Sequence, residues 1–348
     1  MIELTVEQQG AIAAIEAWYK GDKQIFKLFG PAGSGKSFLS YAILETLGVP
    51  FVQVVYTGKG AQVLKEKSGH PTHTIHRAIY KCVSPPGRPP TYVFNDKSPL
   101  SKVPLTVVDE GGMVGARIVA DLKRAANRIL VLGDPHQLPP IKDSLSELQK
   151  NPDYQLTEIH RQAEGSPILE MATRARNGLH VPTTVNHRDV NYEDYDVVLV
   201  GRNNTRKAII QSERKRQGLP GNRVEVGERL ICIRNNHDLG IMNGTMWHVL
   251  GVRGEQLLVA SEDDAEPITV DYDPKVLFEK ITWQKSDHLL NKGAAFFYFS
   301  NAITVHKAQG SEWDSVLLVD ESFCFRDNAR KWLYTGITRA AKHLDIVR

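Results

Sequence analysis

A chain of 348 residues exceeds the usual single domain, and 41% apolar with 24% charged content is ordinary for a globular protein with two core domains and small insertions. A formal charge of +3 announces no general affinity for nucleic acid, although a basic channel can exist locally. Cys82, Cys232 and Cys324 are scattered and odd in number; they exclude a disulfide framework or thiolate metal site and point to a reducing compartment. The chain start lacks a basic segment followed by an apolar one, and no apolar run could cross a bilayer. The expectation is a cytoplasmic protein without a membrane partner.

Thr5 opens the first helix, with Gln8 as its capping-box partner, and Ala11, Ile12, Ile15 and Trp18 recur at helical spacing to face inward. The apolar run Ile25 to Phe29 predicts a buried strand. Directly behind it stand Gly30, Pro31, Ala32, Gly33, Ser34, Gly35, Lys36 and Ser37. This is the full Walker A pattern in its required place: backbone N–H groups cradle phosphates, Lys36 reaches the outer phosphates and the Ser37 hydroxyl ligates Mg²⁺. A helix from about Gly35 to Leu47 adds its positive dipole end. The cofactors implied are ATP and Mg²⁺.

The next strand, Phe51 to Tyr56, leads into Thr57-Gly58-Lys59-Gly60-Ala61, where N–H groups, the Thr57 hydroxyl and Lys59 suit backbone phosphates. His73 and His76 lack a convincing third metal ligand. From Cys82 to Val103 five prolines and Gly87 interrupt the pattern around Tyr92-Val93-Phe94. Either a small hairpin or rigid loop carries an aromatic tip there, or a surface loop packs its aromatics back.

Leu105 to Val108 predicts a buried strand that delivers Asp109 and Glu110 to the sheet edge, the first to hold Mg²⁺ and the second to activate water. The strand Ile129 to Leu132 similarly delivers Gly133 to Pro140, in which Gln137 can sense the outer phosphate or the lytic water. A second α/β unit starts near Arg161 and includes Val197 to Val200. It is interrupted from about Asn235 to Lys292 by β segments at Thr245 to Val249, Gln256 to Ala260 and Pro267 to Val270, which suit a small barrel-like insertion. The α/β pattern resumes with Ala295 to Phe299, Ser315 to Val319 and His343 to Val347. Trp247 is expected in the insertion's core. The fold class is α/β, with two nucleotide-fold halves each carrying an insert.

These motifs, in this order, resemble superfamily 1 helicases, above all the 5′→3′ branch of Dda, RecD-type and Pif1-like helicases. The resemblance runs from Leu4 to Val347. It also rests on Leu156-Thr157-Glu158-Ile159-His160-Arg161-Gln162, Asn243-Gly244, Thr304-Val305-His306-Lys307-Ala308-Gln309-Gly310 and Leu333-Tyr334-Thr335-Gly336-Ile337-Thr338-Arg339-Ala340. Gly111 and Gly112 depart from relatives, which often carry a small residue plus Ser.

The resemblance implies adenine recognition by Gln8, and two phosphate-contacting arginines, Arg161 and Arg339, from the far side of a cleft. Gly310 and Glu312 belong to the segment that links ATP to the nucleic-acid track. Thr57, Lys59, His73, His76, Asn243, Thr304 and His306 belong to the track, with Tyr92 or Phe94 as the pin at the fork. Residues 1–80 and 104–160 form one RecA-like domain with a pin-like insertion at 81–103. A second RecA-like domain, 161–234 and 293–348, carries an SH3-like insertion at 235–292. The implied activity is ATP-dependent unwinding of DNA by a monomeric motor on single-stranded DNA, with forked or tailed duplex as substrate. A single-strand-binding or replisome protein is the implied partner, and the compact chain fits a phage protein acting in a bacterial host cytoplasm. An RNA-directed ATPase, or a translocase that displaces proteins without unwinding, remains the alternative.

Overall fold

The structure, a computed structural model, describes residues 4–83, 91–139, 146–159, 166–219, 221, 223–234, 236, 239, 241, 243–262, 264–277 and 294–348. The chain divides into two compact units, the first running through Leu179 and the second from His180 to Arg348.

In the first unit, α1 (Val6–Lys20) begins at Thr5 with the expected capping box: the Gln8 N–H donates to Thr5 Oγ1, and the Thr5 N–H donates to Gln8 Oε1. Ala11, Ile15 and Trp18 are buried against Phe26, Leu28, Leu39 and Ile43. The strands β1 (Ile25–Phe29), β2 (Phe51–Val55) and β3 (Thr72–Thr74) alternate with α2 (Lys36–Leu47) and α3 (Gly58–Ser68). Then come α4 (Ile75–Ile79), the hairpin strands β4 (Tyr80–Val83) and β5 (Thr91–Phe94), β6 (Leu105–Val108), α5 (Ala116–Ala125), β7 (Arg128–Gly133), the short β8 (Tyr154–Gln155) and α6 (Pro167–Arg176). The main sheet is entirely parallel, in the order β3-β2-β6-β7-β1-β8. Every residue of β6 is buried, as continuous apolar strands covered by helices on both faces must be.

The proline-interrupted excursion begins as the hairpin alternative, with Tyr80 paired to Phe94 and Cys82 to Tyr92. Residues 84–90, which hold Pro85 to Pro90, lie outside the described residues. The excursion ends earlier than Val103, because Pro99–Lys102 form a 3₁₀ turn whose Leu100 is fully buried in the core. Phe94 also turns back: its ring packs against that core, with the Arg124 guanidinium 4.1 Å from its centroid. Tyr92 remains 52% exposed.

In the second unit, β9 (Val197–Val200) is followed by α7 (Asn203–Arg216), β10 (Arg229–Cys232), β11 (Met246–Arg253), β12 (Gln256–Ser261), β13 (Asp264–Asp271) and β14 (Phe297–Phe299). β15 (Ala302–Thr304), β16 (Trp313–Val319), α8 (Ala329–Ile337) and β17 (Ala340–Val347) complete it. A parallel sheet runs β15-β9-β16-β17, and a separate antiparallel sheet runs β13-β12-β11-β10-β14. The sequence expectation for Ala295 to Phe299 is corrected here. Phe297–Phe299 pairs antiparallel with β10 in the insertion's sheet, and Ala302–Thr304 is the strand that rejoins the parallel core. A short run of aromatic residues carries no mark of which sheet it will join, because the partner strand is distant in sequence. Trp247 is 5% exposed, donates its indole N–H to Thr245 Oγ1 at 2.8 Å and meets Phe297 edge-on, as expected of a core anchor.

Candidate nucleotide and nucleic-acid sites

The loop between β1 and α2 sits at the carboxyl edge of the first sheet. Gly33 and Gly35 have φ of 81° and 77°, the left-handed region that favours glycine, and they let the loop curl. The buried Ser34 hydroxyl donates to Pro31 O at 2.9 Å and closes the curl. A Cβ on Gly30 would collide with Ser34. Lys36 folds over the loop, donating to Gly30 O at 2.6 Å and Pro31 O at 2.8 Å. Burial pushes its pKa below the ordinary 10.5, against the raising pull of Asp134, Asp109 and Glu110. Three carboxylates thus act electrostatically on one ammonium. Ser37 is the second residue of α2, but its side chain lies outside the described residues, as does the whole of Arg161.

Asp109 and Glu110 follow β6 as expected, and the Glu110 N–H donates to Asp109 Oδ1 at 2.8 Å. Glu110 has φ 50° and ψ 42°, a left-handed conformation for a residue with a side chain. Such strain costs about 1–3 kcal/mol and persists only where its surroundings enforce it. Part of the enforcement is Gly111: a Cβ there would collide with Val131 in the middle of buried β7. Gln149 supports the same turn by donating to Gly112 O at 2.7 Å. Gly111 is therefore what lets this turn lie close on β7, while a Cβ on Gly112 would meet nothing nearer than Asp134 O at 3.9 Å. Gly111→Ala is expected to cost about 1–3 kcal/mol through overpacking and to displace Glu110. A melting temperature and ATPase rate both equal to the parent's would contradict it.

After β7, Asp134 Oδ1 accepts the His136 N–H at 2.9 Å and Asp134 O accepts the Gln137 N–H at 3.3 Å. This turn fixes Gln137 at the same sheet edge as Lys36, Asp109 and Glu110. Asp134 stands inside the Gly133 to Pro140 motif without an assigned role, yet it shapes that turn and its charge acts on Lys36; an Asp two residues before the residue it caps was the available signal.

Gln8 is 2% exposed, and its carboxamide is oriented by the capping box. Its neighbour Glu7 carries no assigned role in the sequence reading. The Glu7 carboxylate accepts the Thr157 N–H and hydroxyl, both at 2.8 Å, and the Glu158 N–H at 3.1 Å. The Leu156 N–H in turn donates to Phe29 O. The strand of chain that leads to Arg161 is thereby tied to both α1 and the start of the phosphate loop.

On the same unit, Thr57 caps α3: its Oγ1 accepts the Gly60 N–H at 3.1 Å, which leaves the hydroxyl proton to donate. Lys59 lies in the first turn of that helix. His73 sits in β3, opposite Val54. His76 stands amid rings, 5.6 Å from Tyr56, 5.9 Å from Tyr80 and 6.5 Å from Tyr92 by centroid. The track candidate His76 and the pin candidate Tyr92 are thus brought together. Burial holds the pKa of both histidines below 6.5, for His73 with help from Arg77 and Lys65, so they face a ligand at neutral pH as uncharged rings.

In the second unit, Thr304 ends β15 and is 8% exposed, while His306 is half-buried, with a pKa also lowered by burial. Gly310 takes φ 80°, and Glu312 is exposed just beyond it. Arg339 is 7% exposed and anchored by its own unit: Nε donates to Thr335 O at 3.1 Å and Nη1 to Ser311 O at 3.0 Å. Arg339 and the Gly310–Glu312 segment are therefore directly bonded. Asn243 is exposed in the turn before β11, followed by Gly244 at φ 91°.

Among the described residues, no group of three or more His, Cys, Asp or Glu side chains is arranged to hold a metal ion. The first unit's edge nevertheless fits magnesium: its donors are oxygens, and three carboxylates against one lysine leave negative charge that a triphosphate would meet unfavourably without a cation. Among the described residues no helix is long and apolar enough to cross a membrane.

Residues 3–192 match the family model of an AAA domain, and residues 299–347 match a UvrD-like helicase C-terminal domain. The ATP-dependent RecD2 DNA helicase of Deinococcus radiodurans is 29% identical over 355 residues, covering 90% of this chain and 45% of that protein. The ATP-dependent DNA helicase dda of Enterobacteria phage T4 is 27% identical over 193 residues, covering 51% of this chain and 43% of that protein. The chain thus spans less than half the length of these curated relatives. In fold it resembles the Pif1 helicase from Bacteroides in complex with ADP-AlF3 and ssDNA, with a TM-score of 0.63 at 18% identity over 99% of this chain and 92% of that one. Two parallel cores with small insertions, a strained acidic turn beside a P-loop lysine and these matches lead to one assignment: the chain belongs to the AAA domain family, among the superfamily 1 helicases related to RecD, Dda and Pif1.

Proposed function

We propose that the chain is an ATP-hydrolysing motor that moves 5′ to 3′ along single-stranded DNA and unwinds forked or tailed duplex. The observation that carries this reading is the convergence of Lys36, Asp109, Glu110 and Asp134 at one sheet edge around a curled phosphate loop. DNA as the track rests on likeness to the RecD2, dda and Pif1 proteins, and the direction of travel on the resemblance of the motifs to the 5′→3′ branch.

Gly30 to Ser37 hold the phosphates, and Gln8 holds the adenine. Ser37 and Asp109 would hold Mg²⁺, which when bound would supply positive charge to the outer phosphates. Glu110 takes a proton from the attacking water, and Gln137 orients that water. Arg161 and Arg339 stabilise the charge that develops on the terminal phosphate, and Gly310 and Glu312 relay the change to the strand. Thr57, Lys59, His73, His76, Asn243, Thr304 and His306 grip backbone and sugar, which permits stepping without regard to sequence. Neutral histidines suit this role, since they exchange hydrogen bonds at each step without a strong ionic attachment. Tyr92, exposed at the hairpin and backed by His76, is the pin; the Phe94 alternative is set aside because Arg124 covers that ring. The motor is monomeric, works in the cytoplasm and meets a single-strand-binding or replisome protein at the fork.

Partial duplexes with a 5′ or a 3′ single-stranded tail, in DNA and RNA versions, test the reading. Only the 5′-tailed DNA is expected to unwind with ATP. Equal unwinding of the RNA versions would replace the DNA assignment, and translocation without any unwinding would leave a protein-displacing motor. Tyr92→Ala should lower unwinding about tenfold, the worth of one lost base–aromatic stack, while DNA-stimulated hydrolysis stays within about twofold. Parallel loss of both would remove the pin.

A further inference from the structure

Between β16 and α8 runs a segment, Asp320 to Asn328, that none of the motifs includes, and three independent features converge on it. First, the Glu321 carboxylate is 3% exposed and fully engaged. Oε2 accepts the Gly201 and Arg202 N–H groups, both at 2.8 Å, while Oε1 accepts Arg202 Nε and the Thr205 hydroxyl, both at 2.6 Å. An acid so placed acts as an internal anion at the strand-to-helix loop after β9, and it locks the start of the segment to that loop.

Second, Gly201 in that loop is pressed against the segment: a Cβ would come within 2.9 Å of both Glu321 Cβ and Phe325 Cε2. Phe325 is held there between two other rings. It stacks on the fully buried Trp332 of α8 at 5.2 Å and 10°, and meets His306 at 5.3 Å and 44°. Third, the next residue, Arg326, adopts φ 45° and ψ −115°, outside the regions open to a residue with a side chain. Strained backbone of this kind persists where surroundings over-determine it, and it clusters at working parts of proteins.

Phe325 therefore meets the track candidate His306 and also stacks on Trp332 of the helix that ends at Ile337, just before Arg339. That helix rides closely on the same elements, since a Cβ on its Gly336 would meet Leu318 at 2.8 Å and Val305 at 3.3 Å. We propose that Phe325 is a positioning residue that couples occupation of the strand-binding site at His306 to the placement of Arg339, with Glu321 and the strained Arg326 holding the ring between the two. This rests on the motor reading above. A shift of His306 on binding a strand moves the ring, the ring moves Trp332, and α8 carries the movement to its carboxyl end. Phe325 itself touches neither nucleotide nor strand.

The test measures ATP hydrolysis with and without a single-stranded oligothymidylate, together with the melting temperature. Phe325→Leu is expected to melt close to the parent chain and keep the unstimulated rate, but to lose about tenfold of the stimulation, within the usual range for coupling between sites. Phe325→Tyr, which keeps the ring, should retain it. If Phe325→Leu does not fold, Phe325→Met poses the same question with a longer side chain; melting of both overturns the proposal in favour of a purely structural ring. Parallel loss of unstimulated and stimulated rates overturns it also, as does undiminished stimulation in Phe325→Leu while the parent chain is stimulated. A parent chain indifferent to oligothymidylate overturns the motor reading, and this proposal with it.

Discussion

Lys36→Ala should abolish ATP turnover, with a loss of about a thousandfold or more, or roughly 4 kcal/mol of transition-state stabilisation. The ammonium donates to two loop carbonyls, Gly30 O and Pro31 O, and stands among Asp109, Glu110 and Asp134. Its pKa is pushed down by burial and up by those acids, and burial wins. A phosphate drawn into the loop supplies the counter-charge nearest to hand, so the ammonium exchanges carbonyls for phosphate oxygens. Alanine leaves the loop curled by Gly33, Gly35 and the Ser34–Pro31 bond, but without the charge that follows the terminal phosphate. The fold should survive, because the side chain contributes no apolar packing to the core clusters. Steady-state phosphate release and thermal melting on the same preparation decide the matter. Hydrolysis near the parent rate would remove the phosphate assignment altogether.

Glu110→Gln should give the second large effect: ATP binding retained and hydrolysis reduced by about a hundredfold to ten-thousandfold, the usual worth of a positioned general base. The amide keeps the shape of the carboxylate and the left-handed turn, but cannot accept a proton. Binding of a fluorescent ATP analogue, followed beside single-turnover hydrolysis, separates the two roles. A variant that hydrolyses within about threefold of the parent would pass the role of base to another residue. A variant that no longer binds nucleotide would show that the strained turn had collapsed. Gly111→Ala serves as the control, since it disturbs the turn while leaving the carboxylate chemistry intact.

Much of the first unit was legible from local pattern. The apolar runs at Ile25, Phe51, Leu105 and Ile129 all became strands of one parallel sheet, because a run buried on both faces has few other fates. Thr5 and Gln8 capped their helix as read, since a capping box needs only four consecutive residues. The Walker residues were found by spacing alone. Phe94 was not separable from Tyr92, because both lie on the same face of β5, and only Arg124 on α5 decides which ring is covered. Glu7 and Gln149 had roles hidden for a related reason: each acts on backbone atoms that the chain reaches only after folding.

Short-range order in the amino acids settled the phosphate loop, the acidic turn after β6 and the α/β class, because these depend on neighbours within a few positions or on simple burial. Family membership followed from the same motifs taken in order. Tertiary structure alone decided that β10 and β14, which flank the insertion, belong to its antiparallel sheet. It alone placed Arg339 on the carbonyl of Ser311, and set Phe325 against His306. The physical reason is common to all three: hydrogen-bond partners and ring contacts far apart in sequence form only when packing closes the loops between them, and no local pattern records which closure will prevail.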